Sequence, residues 1–130
     1  MATSILDDVS RIREIDKSGM LSVCVEAAKH YLAAVEAAEK ISLSFSVPEN
    51  VIVTGMGGSA IGGELLKDWA RDSVKVPIEV SRAYSLPAYA DKRSLVLVVS
   101  YSGETEETLS SFLDAVRRGS MVCLLYTSPS

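Results

Sequence analysis

With 130 residues, 48% of them hydrophobic and 23% charged, the chain is long enough for about one ordinary domain and too apolar to read as disordered. Thirteen Lys and Arg stand against seventeen Asp and Glu, a formal charge of −4 without a basic stripe, which excludes nucleic acid as an expected partner. One His and two distant cysteines, Cys24 and Cys123, supply neither a metal cluster nor a disulfide framework; reduced thiols and no cofactor are expected.

The start, "MATSILDDVSRIREIDK", lacks the basic opening and unbroken apolar stretch of a secretory signal. From Thr3 to Lys17 the apolar residues Ile5, Leu6, Val9, Ile12 and Ile15 recur near a 3.6 period and predict a short amphipathic helix, broken at Ser18-Gly19. A longer alanine-rich helix is predicted over Met20 to Lys40, with Val25, Ala28, Leu32 and Val35 along its face. Residues 1–45 thus read as a pair of helices packing on a domain that occupies 46–130.

Beyond the Pro48 turn the pattern changes. "VIVTG" (51–55) is apolar on both faces, as a strand of a helix-covered parallel sheet requires. A helix follows through "AIGGELLKDWA", with Ser59 as its cap, Leu65, Leu66 and Trp69 as its buried face, and Gly62 and Gly63 permitting close approach. Further strands are predicted at Val76–Ser81 and at "SLVLVVS" (94–100), then a helix through "SGETEETLSSFLDAVRRG" with acids first, arginines last and Gly119 at its exit. "SMVCLLYT" reads as a fourth strand. The longest apolar run, "LVLVV" at 95–99, is far short of the ~18 residues of a membrane helix, so no membrane is expected and the cytoplasm is the expected location. The fold class is α/β: an open parallel sheet flanked by helices and preceded by a helical pair.

Three chemistries fit "VIVTGMGGSAIGG" (51–63), which sets Ser59 among five glycines at the end of a buried strand. The run Gly55-Met56-Gly57-Gly58-Ser59-Ala60 satisfies the weak dinucleotide pattern GxGxx(G/A), with Glu79 in the next strand as the ribose acid. A nucleophile elbow needs glycine two places after the serine, where Ile61 stands, and the sole His, His30, lies in an N-terminal helix. In the third reading Ser59 is a phosphate ligand, joined by the free N–H groups of a glycine loop and helix start. The plain alternative is that Ser59 only caps its helix.

A second loop separates these readings. "SYSGETEET" (100–108) also stands at a strand end and opens a helix, placing the hydroxyls of Ser100, Ser102 and Thr105 within six residues, with Gly103 to turn the backbone. A dinucleotide fold has no need of it. Hydroxyls and helix termini together hold a phosphate without lysine, provided Glu106 and Glu107 turn outward.

"GMGGSAIGGELL" followed by "VVSYSGETEETL" resembles the sugar isomerase (SIS) domain, most closely that of the bifunctional phosphoglucose/phosphomannose isomerases, over about residues 1–121. The resemblance implies a flavodoxin-like sheet, with Gly57, Gly58, Ser59, Ser100, Ser102 and Thr105 holding the phosphate and nearby hydroxyls of a hexose phosphate. Glu104 stands where many relatives carry Asn. It also implies isomerisation of glucose 6-phosphate or mannose 6-phosphate with fructose 6-phosphate through an enediol, in carbohydrate metabolism, by a homodimer. The Glu, His and Arg that do this chemistry in relatives come later in the chain, so this one reads as an N-terminal fragment without catalytic residues. The octet "CLLYTSPS" (123–130) departs from the family pattern and resembles translated adaptor sequence, which marks it as non-native. In a second class, a non-catalytic SIS module would only bind the phosphosugar; the regulators that do so usually begin with a helix-turn-helix, whereas these 45 residues hold two acidic helices.

Overall fold

The computed structural model of the chain describes residues 5–126. The chain divides into two compact units, Met1–Ser44 and Phe45–Ser130.

In the first unit, the stretch predicted as one helix from Thr3 is a 3-10 turn at Ile5–Asp7 followed by α1, Val9–Ile15, its first two residues lying outside the described ones. Asp8 divides them: its extended backbone and its carboxylate, which accepts from the Ser10 and Arg11 N–H groups, start a new helix. α2 spans Met20–Ala38. Its start is held by Asp16, whose carboxylate accepts from the Met20 and Leu21 N–H groups at 2.8 Å each. Those bonds pull the Asp16 carboxyl below its ordinary pKa, the Leu21 N–H first. The predicted apolar face of α2 is not buried: Val25, Leu32 and Val35 are all exposed, as is His30.

The second unit is an α/β layer structure. β1 (Asn50–Thr54), β2 (Ile78–Ser81), β3 (Ser94–Ser100) and β4 (Met121–Tyr126) form one parallel sheet in the order β2-β1-β3-β4. That order matches the opening of the flavodoxin-like arrangement, in which the connections diverge at the β1/β3 boundary and leave a crevice at the strands' carboxyl ends. β1 and β3 are joined by α3 (Gly58–Ala70), β2 and the 82–93 connection; α4 (Glu106–Arg117) joins β3 to β4.

Alternation along the strands separates the sheet faces. Ile52, Val96 and Val98 share one face with Ala115 of α4, Leu86 and Ala90, and form the core, with Phe112 and Val122 against it. α4 also ties down the 82–93 connection: Ser111 Oγ donates to the Ala83 carbonyl at 2.6 Å, Asp114 accepts from the Leu86 N–H, and Arg118 donates to the Pro87 and Leu86 carbonyls. Gly119, at φ 70°, ends α4 as expected, with Ser120 N donating to Ala115 O and Gly119 N to Val116 O.

On the opposite face α3 lies against β1 and β2, and the expectation for its buried side fails. The buried residues are Ala60, Gly63 and Ala70, while Leu65 is 59% and Trp69 78% exposed and Leu66 is half-buried. The reason is the close approach itself. A Cβ at Gly63 would sit 2.7 Å from Val53 Cγ1 and 2.9 Å from Val53 Cβ, so only a small-residue stripe fits against the sheet. The large residues at 61, 65 and 69 fall on another side; Gly62 is not needed for the approach, since nothing lies within 4 Å of a Cβ placed there.

Candidate functional site

Both glycine- and hydroxyl-bearing loops lie at the carboxyl ends of neighbouring strands, β1 and β3, and open α3 and α4. In the first, Gly55 sits so close to β3 that a Cβ would stand 2.8 Å from the Val99 carbonyl oxygen. Gly57, at φ 53°, turns the chain into α3 and is its N-cap residue. Ser59 is therefore not the cap. As the second residue of the helix it leaves its hydroxyl free to cross to the other loop, where Oγ accepts from the Tyr101 N–H at 3.4 Å.

The second loop is organised by its own hydroxyls. Ser100 is buried, and its Oγ accepts from the Gly103 N–H at 3.0 Å. Ser102 Oγ lies 3.3 Å from Thr105 Oγ1 and accepts from the Glu104 N–H at 3.3 Å. Thr105 is the N-cap residue of α4 yet makes no side-chain cap bond. Gly103 has φ 75°, the conformation that lets consecutive N–H groups face one side.

A cavity of about 830 Å³ opens between the loops, within the range of small-molecule sites. Its wall contains Gly58, Ser59, Ser100, Ser102 and Thr105; of the six candidate residues only Gly57 stands outside it. Among the described residues of that wall there is no Asp, Glu, His, Lys or Arg. The polar atoms on that wall are its hydroxyls and backbone groups at the starts of α3 and α4; the Ser59 and Ala60 N–H groups already bond the Met56 and Gly57 carbonyls. The glutamates that open α4 do not line it: Glu106 is exposed, and Glu107 engages Tyr84, whose phenol it holds above the ordinary pKa chiefly through its charge. Glu104 is exposed as well.

The apolar part of the wall was not singled out from the sequence: Met56, Val99, Tyr101, Leu125 and Tyr126. Tyr101 stands between two candidate serines, and that position was the available signal. Leu125 and Tyr126 belong to the octet read as non-native; its first four residues are the end of β4, paired with Leu97–Ser100, and residues 127–130 lie outside the described ones.

Glu79 does not take the place of a ribose acid. It is the second residue of β2, not its last, and accepts a 2.6 Å hydrogen bond from Tyr89, whose hydroxyl is pushed up to about 12 by burial first and then by Glu79. Cys24 and Cys123 are free thiols, and no group that could hold a metal ion occurs among the described residues. No helix among the described residues is long and apolar enough to cross a membrane.

Curated proteins give the relationship. A bifunctional phosphoglucose/phosphomannose isomerase of Caldicellulosiruptor bescii is 45% identical over 96 residues, 72% of this chain and 28% of that protein. Its counterpart from Aquifex aeolicus is 40% identical over 82 residues, 62% of this chain and 26% of that protein. The chain is similar to bifunctional phosphoglucose/phosphomannose isomerases. The likeness read from the two loop motifs thus stands. A D-glucosamine-6-phosphate 4-epimerase of Sulfolobus acidocaldarius is 35% identical over 80 residues, 62% of this chain and 24% of that protein. The chain spans about a quarter of the length of these relatives. No protein-family model matches it.

Proposed function

We propose that the two loops hold the phosphate of a hexose 6-phosphate, and that the chain is the substrate-binding part of an aldose–ketose isomerase interconverting glucose 6-phosphate or mannose 6-phosphate with fructose 6-phosphate. The observation that carries this reading is the convergence of Ser59, Ser100, Ser102 and Thr105 on one cavity at two helix starts. The names of the similar proteins support the reaction class.

Isomerisation through an enediol needs a base at the C1–C2 carbons and a donor beside the enediolate oxygen. The described cavity wall offers hydroxyls and backbone N–H groups but no acid or cation, so these groups come from elsewhere in the complete enzyme, a homodimer in this reading. The same wall favours one second reading, a phosphosugar-binding SIS module without turnover. The epimerase among the similar proteins shares the sugar-phosphate class in its name and not the reaction, as expected if the loops serve the phosphate.

Fructose 6-phosphate titrated into the 130-residue chain tests the binding, and a coupled isomerase assay tests the chemistry. Saturable binding without turnover is expected. No binding contradicts the phosphate site, and turnover by these residues alone contradicts the assignment of catalysis elsewhere.

A further inference from the structure

We propose that β4 and the outer side of α4 form a self-association surface, on which a second copy of this chain docks by pairing its own β4 antiparallel to the first. This surface is independent of the phosphate reading. The two edges of the sheet differ. β2, at one end, is four residues long, follows Pro77, which has no N–H, and carries Glu79; Arg82 just beyond it is paired with Glu64. Short length, proline and charge are the devices that keep an edge from adding strands. β4, at the other end, has no such charge or proline. None of its six residues, Met121–Tyr126, is charged, proline or glycine, and its outer edge has no partner strand among the described residues.

Beside that edge lies an apolar strip. The parallel register aligns Leu124 with Val98 and Tyr126 with Ser100, so both stand on the α4 face, where they wall an apolar notch together with Leu109 and Phe112. Along α4, Leu109, Leu113 and Val116 recur at helical spacing; these three, Leu124 and Tyr126 are each between 45% and 58% exposed. A two-fold axis normal to the sheet at Leu124 joins two such edges into one continuous sheet and keeps both α4 helices on one face. It sets Leu124 against Leu124, and Val122 against Tyr126 of the second copy, with no charge facing its like. The two α4 helices then run antiparallel. Each apolar stripe has Glu106 at one end and Arg117 at the other, both exposed, so Glu106 of each copy lies toward Arg117 of the other. A surface self-complementary in both strand and charge argues for a second copy over an unrelated partner. Because Cys123–Tyr126 belong to the octet that departs from the family pattern, the surface is assigned to this chain and not to its relatives. One strand edge and one helix stripe make an interface no larger than the ~800 Å² per partner of standard complexes, so a weak dimer in the micromolar range is expected.

Sedimentation velocity of the 130-residue chain, from micromolar to millimolar concentration, is the test. A monomer–dimer equilibrium is expected, weakened roughly tenfold or more by Leu124→Lys, which sets two like charges together at the axis. Circular dichroism shows whether the variant keeps its fold. Charge exchange on α4 gives a second arm that leaves the strand alone. Glu106→Arg and Arg117→Glu should each weaken the dimer about threefold, and the double variant should restore it, which a merely destabilised fold would not do. If Leu124→Lys fails to fold, the exchange on α4 decides alone. A chain that stays monomeric throughout leaves the edge to another occupant and overturns the proposal. So does a dimer indifferent to Leu124→Lys, a double variant no tighter than the single ones, or growth into open-ended species in place of a closed dimer.

Discussion

At the first loop and in the helix it opens the geometry depends on absent side chains: Gly55 lies against the Val99 carbonyl, and Gly63 lets α3 close onto Val53. At the second loop it depends on present ones, since Ser100 and Ser102 each accept a backbone N–H and Ser102 lies beside Thr105. The first device is part of the packing between helix and sheet, whereas the second is local to six residues. Substitutions in the two regions should therefore differ in kind, the first acting through the fold and the second through the loop and the proposed phosphate site.

Gly63→Val should give the largest effect. Its branched side chain cannot occupy space 2.7 Å from Val53 Cγ1 without pushing α3 off the sheet, and a loss of about 3 kcal/mol is expected in urea unfolding. Wild-type stability in this variant would break the contrast between the loops. Ser100→Ala comes next: the Gly103 N–H loses its acceptor in a partly buried setting, which should cost about 1 kcal/mol and loosen the loop in hydrogen exchange.

The double variant Ser59→Ala with Ser102→Ala should leave stability within about 0.5 kcal/mol, since the bonds these hydroxyls make are 3.3–3.4 Å long. Its fructose 6-phosphate Kd should rise about tenfold. Calorimetry showing equal affinity would remove both serines from the site.

The smallest effect concerns the anchoring of α4. Arg118 first, and the Leu86 N–H second, hold the Asp114 carboxyl below its ordinary value of 3.8. A carboxylate depressed in the folded state contributes stability above its unfolded pKa and loses it as pH falls through the folded value. Tm in the wild type should therefore drop more steeply below about pH 4 than in Asp114→Asn, as measured by circular dichroism melts. Parallel pH profiles would show that the pair does not couple α4 to the 82–93 connection.

Much of the second unit was legible because its signals are local. β-branched runs marked β1 and β3, acids and arginines marked the ends of α4, and the strand-to-helix loops stood out by glycine and hydroxyl content. The buried side of α3 was not legible by the same logic. Hydrophobicity pointed to Leu65 and Trp69, but the close approach at Gly63 selects Ala60 and Ala70, a constraint that exists only once β1 lies beneath the helix. Nor could the sequence show that Ser59 leaves its cap role to Gly57, since that depends on the left-handed turn at Gly57 and on Tyr101 from the other loop. In the first unit the apolar period called a helix through Asp8, where a side-chain cap competes with the helix and wins.

In the proposed reading the two loops, built differently, form one phosphate site. An amide chemical-shift titration with fructose 6-phosphate tests it most directly. The Gly57, Gly58 and Ser59 amides and the Ser102, Gly103 and Glu104 amides are expected to shift together along one binding curve with one Kd. Shifts confined to one loop, or two loops titrating with different constants, would contradict it.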